Sequence, residues 1–155
     1  MKKVLIAYFS ASGVTARAAK ELAQTLDADL YEIRPETPYT AADLDWTNKK
    51  SRSTVEMNDP ACRPAIAEPV KNMAQYDAVF VGFPVWWYVE PRIVDTFLES
   101  YDFSGKTLIP FATSGGSGIA KAEKSLREHC PNADWKKGEL VNSGAAEWAK
   151  HALNA

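Results

Sequence analysis

The sequence predicts an α/β fold, a parallel sheet covered by helices on both faces, and three observations predict it. Short unbroken apolar runs at 4–9, 78–83 and 107–112 read as strands buried on both sides. Each run stops abruptly at a loop of small, hydroxylated or proline-flanked residues. Beyond each loop the apolar residues recur at helical spacing, the stripe of an amphipathic helix. Strands that alternate with helices in this way pair in parallel, and the three most apolar ones belong in the middle.

The first strand is Val4 to Phe9, followed by Ser10-Ala11-Ser12-Gly13-Val14-Thr15 and a helix on which Val14, Ala18, Leu22 and Leu26 fall in one stripe with Ala19 and Ala23 beside them. Asp29 to Ile33 alternates polar and apolar, as a half-exposed edge strand does, and Arg34-Pro35 ends it. Residues 36–69 are polar and broken by Pro38, Pro60, Pro64 and Pro69, which predicts broken helix and loop. A connection this long in a small domain is usually functional or disordered, so it is a candidate wrap around a ligand. Trp46 within it is either a lid contact or, more simply, an anchor for the loop.

Val70 to Tyr76 reads as the end of a helix, and Asp77 to Phe83 as the second buried strand, stopped by Pro84. The next loop carries Trp86, Trp87 and Tyr88 in a row before Pro91. Pro91 opens a helix with Ile93, Val94, Phe97, Leu98 and Tyr101 on one face, at the position proline tolerates best. Ser104-Gly105 turns the chain into the strand Lys106 to Ala112, and Thr113-Ser114-Gly115-Gly116-Ser117-Gly118 is a second glycine and hydroxyl loop. Ile119 to Cys130 is a helix closed by Pro131, Asp134 to Val141 a weaker strand, and Ser143 to Leu153 a last helix with Trp148 turned inward.

With 155 residues, 46% hydrophobic and 25% charged, the chain has the composition of one ordinary globular domain spanning 1–155. A net charge of −2, with only the isolated pairs Lys49-Lys50 and Lys136-Lys137, offers nucleic acid no basic patch. Cys62 and Cys130 form no C-x-x-C, so neither a redox dithiol nor a zinc site is readable, and a reducing cytoplasm suits them. Lys2-Lys3 before an apolar run mimics a secretion signal, but the run 4–9 is too short for one. No stretch approaches the roughly 18 apolar residues of a membrane span, so membrane insertion is not expected.

The loop after the first strand has a specific chemical use. The first amides of a helix have no partner within it, and the helix dipole is positive there, so an anion fits. Ser10, Ser12 and Thr15 add hydroxyls, and Gly13 lets a phosphate approach the backbone. Serine and threonine also serve simply as N-caps, and that reading stands beside the first. There is no G-x-G-x-x-G after the strand and no G-x-x-x-x-G-K-[ST]; Gly105-Lys106-Thr107 has Ser100 where the earlier glycine should be. Gly116-Ser117-Gly118 does not complete G-x-S-x-G, and His129 and His151 sit near helix ends, where capping or solvent exposure is their simplest role. A phosphoacceptor module would place Asp where Ser10 and Pro84 stand.

In an open parallel sheet ligands sit beyond the carboxyl ends of the strands, where the strand order reverses. The loops at 10–15, 84–91 and 113–118 all follow central strands and converge there. One suits a phosphate, one offers aromatic faces, and one offers amides without side-chain bulk. Flavin mononucleotide (FMN) is the common cofactor with that shape. Trp86, Trp87 and Tyr88 are also open to a core or partner-patch reading, although three consecutive residues cannot all face a core.

The segments Tyr8-Phe9-Ser10-Ala11-Ser12-Gly13-Val14-Thr15, Gly82-Phe83-Pro84-Val85-Trp86-Trp87 and Ile109-Pro110-Phe111-Ala112-Thr113-Ser114-Gly115-Gly116-Ser117-Gly118 carry a resemblance. The chain resembles the flavodoxins, in particular short bacterial ones with SG-x-T, P-x-WW and TSGGSG loops. The resemblance implies a flavodoxin-like, doubly wound, five-stranded parallel sheet of order 2-1-3-4-5 that binds FMN non-covalently. Ser10, Ser12, Gly13, Val14 and Thr15 would hold the phosphate. Pro84, Val85, Trp86, Trp87 and Tyr88, with Thr113, Ser114, Gly115, Gly116 and Ser117, would flank the ring. The implied function is low-potential electron transfer between redox partner proteins, a reductase and an acceptor, by a monomer or weak dimer with no catalytic side chain and no metal. The alternative is an FMN-dependent NAD(P)H:quinone-type oxidoreductase. Two positions depart from the family pattern: Val14 stands where Asn is frequent, and Tyr88 where Gly is frequent.

Overall fold

The computed structural model describes residues 3–114, 118–142 and 144–152. Its strands are β1 (Val4–Tyr8), β2 (Asp29–Glu32), β3 (Ala78–Pro84), β4 (Thr107–Thr113), β5 (Asp134–Trp135) and β6 (Glu139–Leu140). Its α-helices are α1 (Val14–Leu26), α2 (Arg52–Met57), α3 (Arg92–Glu99), α4 (Ala120–His129) and α5 (Ala145–Ala152). The strands pair in parallel in the order β2-β1-β3-β4-β5, so the order expected from the resemblance is observed. The chain leaves β1 toward β2 on one side and returns to β3 on the other, which puts the switch point between β1 and β3.

Alternation along the strands divides the core. Leu5, Ala7, Val79, Val81 and Phe83 pack with Ile93, Phe97 and Leu126 of α3 and α4, and Val4, Ile6, Phe80, Ile109 and Phe111 pack with Ala18, Leu22 and Ala149 of α1 and α5. Both faces are therefore covered by helices, and the three central strands are buried throughout apart from Pro84 and Thr107 at their ends. Trp148 is half-buried, with its ring 5.7 Å from that of Phe80 and 6.4 Å from that of Phe111. Gly82 makes room in this layer, because a Cβ there would lie 2.1 Å from the ring of Phe111.

Two expectations are corrected, at 70–76 and 134–141, and the broken helix and loop expected at 36–69 is observed. The predicted helix end at 70–76 is only a 3₁₀ turn, Met73–Gln75, which follows Asn72 in a left-handed conformation. The connection 36–69 holds the short helix α2, with Ser51 at its N-cap and Arg92 Nη2 donating to the Met57 carbonyl at 2.8 Å at its end. The single strand expected at Asp134 to Val141 is two short strands, β5 and β6, both on β4. The carbonyls of Lys106, Leu108 and Ala112 accept from Asp134, Lys136 and Val141, so Pro110 falls on the same edge, and it has no N–H to offer there. The ladder lapses opposite it, and Gly138 lies so close that a Cβ would be 2.4 Å from the Pro110 carbonyl oxygen.

Candidate functional site

The loop after β1 is shaped by Ser10 and Gly13. Ser10 Oγ accepts from the amides of Gly13 and Ala16, at 3.1 and 3.2 Å, so Ser10 acts mainly as a cap for the start of α1. Gly13 adopts φ 93°, and a Cβ there would meet open space, so the backbone conformation requires the glycine rather than any protein neighbour. The amides of Ser12, Val14 and Thr15 have no partner among the described residues, and the first turn of α1 carries no acidic residue. This set of neutral donors is suited to an anion. Thr15 is buried and its Oγ1 lies 2.7 Å from Thr113 Oγ1, a bond that ties the first loop to the end of β4.

The aromatic loop is a tight two-residue turn. Trp86 and Val89 exchange both backbone hydrogen bonds, at 2.9 and 3.1 Å, and Trp87 and Tyr88 between them take φ of 48° and 72°. Positive φ at both central positions is a type I′ turn, which ordinarily takes Asn or Gly. The turn separates the three rings. Trp86 packs edge-on against Phe9 and Tyr39, each at 5.6 Å between centroids, whereas Trp87 and Tyr88 are 41% and 57% exposed.

The base of the third loop is fixed by a residue that the motifs did not reveal. Ser114 N–H donates to Asn142 Oδ1 at 2.8 Å, and Asn142 Nδ2 donates to the Ser114 carbonyl at 2.6 Å. Asn142 lies just past β6, so its place beside the site depends on strand order, and the only signal in the sequence is a polar residue at the end of the last strand. Gly115, Gly116 and Ser117, expected at the ring, lie outside the described residues.

These segments enclose one cleft of about 330 Å³ lined by Ser12, Val14, Pro84, Val85, Trp86, Thr113, Ser114 and Asn142. No lining residue is charged. On the other side of the aromatic turn lies a second cavity of about 400 Å³, between Leu44, Trp46 and Ser53 of the long connection and Val85, Trp86, Trp87 and Tyr88. Trp87 and Tyr88 thus face the second cavity and not the cleft. Trp46 is 74% exposed at its mouth, so it is no loop anchor. Tyr39 holds the connection in place: its hydroxyl donates to Glu56 at 2.5 Å, and the Arg52 guanidinium stacks on its ring at 3.8 Å. Burial and the Glu56 bond keep that hydroxyl protonated by raising its pKa.

Comparison with known proteins agrees with this geometry. No curated protein sequence matches the chain. Among solved structures, the chain is 50% identical to a protein of Bacteroides eggerthii DSM 20697 provisionally described as a flavoprotein, with a TM-score of 0.96 over 99% of this chain and 97% of that one. A similarly described protein of Bacteroides uniformis ATCC 8492 is 52% identical, with a TM-score of 0.93 over 99% of both chains. A flavoprotein of Lactobacillus acidophilus NCFM, solved in complex with FMN, shares the fold at 21% identity, with a TM-score of 0.78 over 96% of this chain and 99% of that one. The family model for flavodoxin matches residues 3–154, and the chain belongs to the flavodoxin family.

Proposed function

We propose that the chain is an FMN-binding electron carrier that passes electrons between a reductase and an acceptor protein. The observation that carries this reading is the convergence of three loop ends on one uncharged cleft at the switch point of the sheet. The residues present fit the cofactor. The amides of Ser12, Val14 and Thr15 and the Ser12 hydroxyl would hold the phosphate, and Pro84 to Trp86 and Thr113 to Ser114 would flank the ring. FMN, when bound, supplies the reversible acceptance of electrons. The chain binds and orients it, keeps water from one face with Trp86, and holds the third loop in register through Asn142. The lining of the cleft offers no cation to added negative charge, which favours low-potential chemistry. Family membership and the FMN complex of the Lactobacillus neighbour support the same cofactor.

The test is a titration of FMN fluorescence with the purified chain. Quenching at one FMN per chain, with negligible NAD(P)H consumption unless a reductase is added, is the expected result. Undiminished fluorescence would end the proposal. A second reading, an NAD(P)H:quinone-type oxidoreductase, has one observation in its favour: the neighbouring aromatic cavity could seat a planar acceptor beside the flavin. Steady-state NAD(P)H oxidation that depends on a quinone would select it.

A further inference from the structure

Glu90 directly follows the aromatic turn and is wholly buried, as is Asp95 on α3. Buried carboxylates normally have donors in contact. Here Ser125 of α4 donates to Glu90 Oε2 at 3.0 Å, but Glu90 Oε1 and both oxygens of Asp95 have no hydrogen-bond partner among the described residues. The groups that face the pair stand further off. Arg92 Nη1 is 3.8 Å from Asp95 Oδ2 and His129 Nδ1 is 3.6 Å from Asp95 Oδ1, while Arg63, from the segment before β3, acts on Asp95 at longer range. One ligand atom of each of Glu90, Asp95 and His129 falls within 4.8 Å of the others.

Such a group could hold a divalent cation or a shared proton, and the geometry separates the two. His129 Nδ1, which faces Asp95, is also 2.8 Å from the Ser125 carbonyl oxygen. A carbonyl only accepts, so Nδ1 carries a hydrogen and has no lone pair for a metal. The Arg92 guanidinium beside Asp95 adds charge that opposes a cation. Two carboxylates this close and this dry cannot both ionise, so one keeps a proton. Glu90 is the one, because the Arg92 and Arg63 guanidinium groups and the His129 Nδ1–H gather on Asp95. Burial, and after it the neighbouring Asp95 carboxyl, push Glu90 up to about 9. Asp95, itself raised by burial, is drawn back by Glu90, His129, Arg63 and Arg92.

We propose that Glu90 is a positioning residue for the cofactor cleft: held as a neutral acid, it donates to Asp95 and accepts from Ser125, and so pins the aromatic turn to α3 and α4. Val89, its neighbour, is bonded at both backbone groups to Trp86, which lines the cleft. Ser125 stands on the helix that follows the third loop, so the same carboxyl links the bases of two walls of the site. Loss of the proton leaves two adjacent negative charges in the interior and drives the turn away from the helices. Retention of the cofactor is then pH-dependent, a consequence that rests on the reading of the cleft as an FMN site.

Carboxyl-labelled glutamate followed by carbon-13 NMR in the cofactor-free protein tests the proton directly. One glutamate should titrate near the raised value given above, and its signal should be missing from Glu90→Gln. Titration of every glutamate close to the ordinary value of about 4.3 would overturn the proposal. The positioning role is read from the Kd for FMN between about pH 7 and 9.5, above the phosphate's own titration near about 6. The wild type should lose affinity by up to about tenfold per pH unit once Glu90 ionises, Glu90→Gln should be flat, and Glu90→Ala should bind weakly throughout. Parallel profiles for wild type and Glu90→Gln would overturn it. Should Glu90→Gln not fold, Asp95→Asn replaces it, and the glutamate titration should move down by more than one pH unit; an unmoved titration is contrary. Absence of FMN binding at any pH would remove the cofactor reading alone. Tryptophan emission, which reports the turn without FMN, should still change with the same midpoint as the carboxyl, and emission blind to that titration would refute the positioning role.

Discussion

Trp87 and Tyr88 occupy a backbone region that costs an ordinary L-residue about 1–2 kcal/mol, and they do so consecutively. Tyr88→Gly should therefore stabilise the cofactor-free protein by about 1 kcal/mol in urea denaturation. A loss of stability would mean that the Tyr88 ring, with Lys121 Nζ 4.9 Å from its centroid, contributes more than the turn costs. Gly82 is the opposite case. Its added Cβ would meet the Phe111 ring, which is fully buried and cannot step aside, so Gly82→Ala should destabilise by about 2–3 kcal/mol. Thr113→Val keeps the shape but leaves the buried Thr15 hydroxyl without its partner. It should cost about 1–2 kcal/mol and weaken FMN binding, since it unties the first loop from β4.

Among the elements, α3 carries the most consequence, because it presents Asp95 to Glu90 and reaches with Arg92 to the end of α2. Glu90 binds its proton more tightly folded than unfolded. Its contribution to stability is therefore fully present below about pH 4.3, the unfolded value, and is lost as pH rises toward about 9, the folded value. Thermal unfolding should show Tm falling from pH 6 to pH 9 in the wild type and falling less in Glu90→Gln; equal slopes would contradict this. The elements also show what a sequence can reveal. β1, β3 and β4 were legible because burial on both faces writes itself as an apolar run, and α3 because Pro91 marks its start. The position of α2 within the expected broken helix and loop was not: its residues Arg52 to Met57 are mostly polar, and distant partners such as Arg92 fix its end. Nor was the break between β5 and β6, because the residue that causes it, Pro110, lies in another strand. Of the site, Ser12, Val14, Pro84 to Trp86, Thr113 and Ser114 were legible as strand ends, while Tyr39 and Asn142 arrive only through tertiary contact. Glu90 and Asp95 carry no signal in the sequence and His129 reads there only as a residue near a helix end; the packing of α3 and α4 brings the three together.

At the scale of the molecule, the parallel sheet brings the ends of β1, β3 and β4 together at its carboxyl end, and the long connection adds a second cavity behind the aromatic turn. Tyr39, braced by Arg52 and Glu56, joins the two regions through Trp86. No helix among the described residues is long and apolar enough to cross a membrane. The proposed function, as carrier or as oxidoreductase, rests on the flavin lying in the cleft and not in the second cavity. A crystal structure of the chain grown with FMN decides this most directly. The phosphate is expected on the amides of Ser12, Val14 and Thr15, with the ring between Trp86 and Thr113. A ring lodged instead among Trp46, Trp87 and Tyr88, or a cleft holding only solvent at saturating FMN, would contradict it.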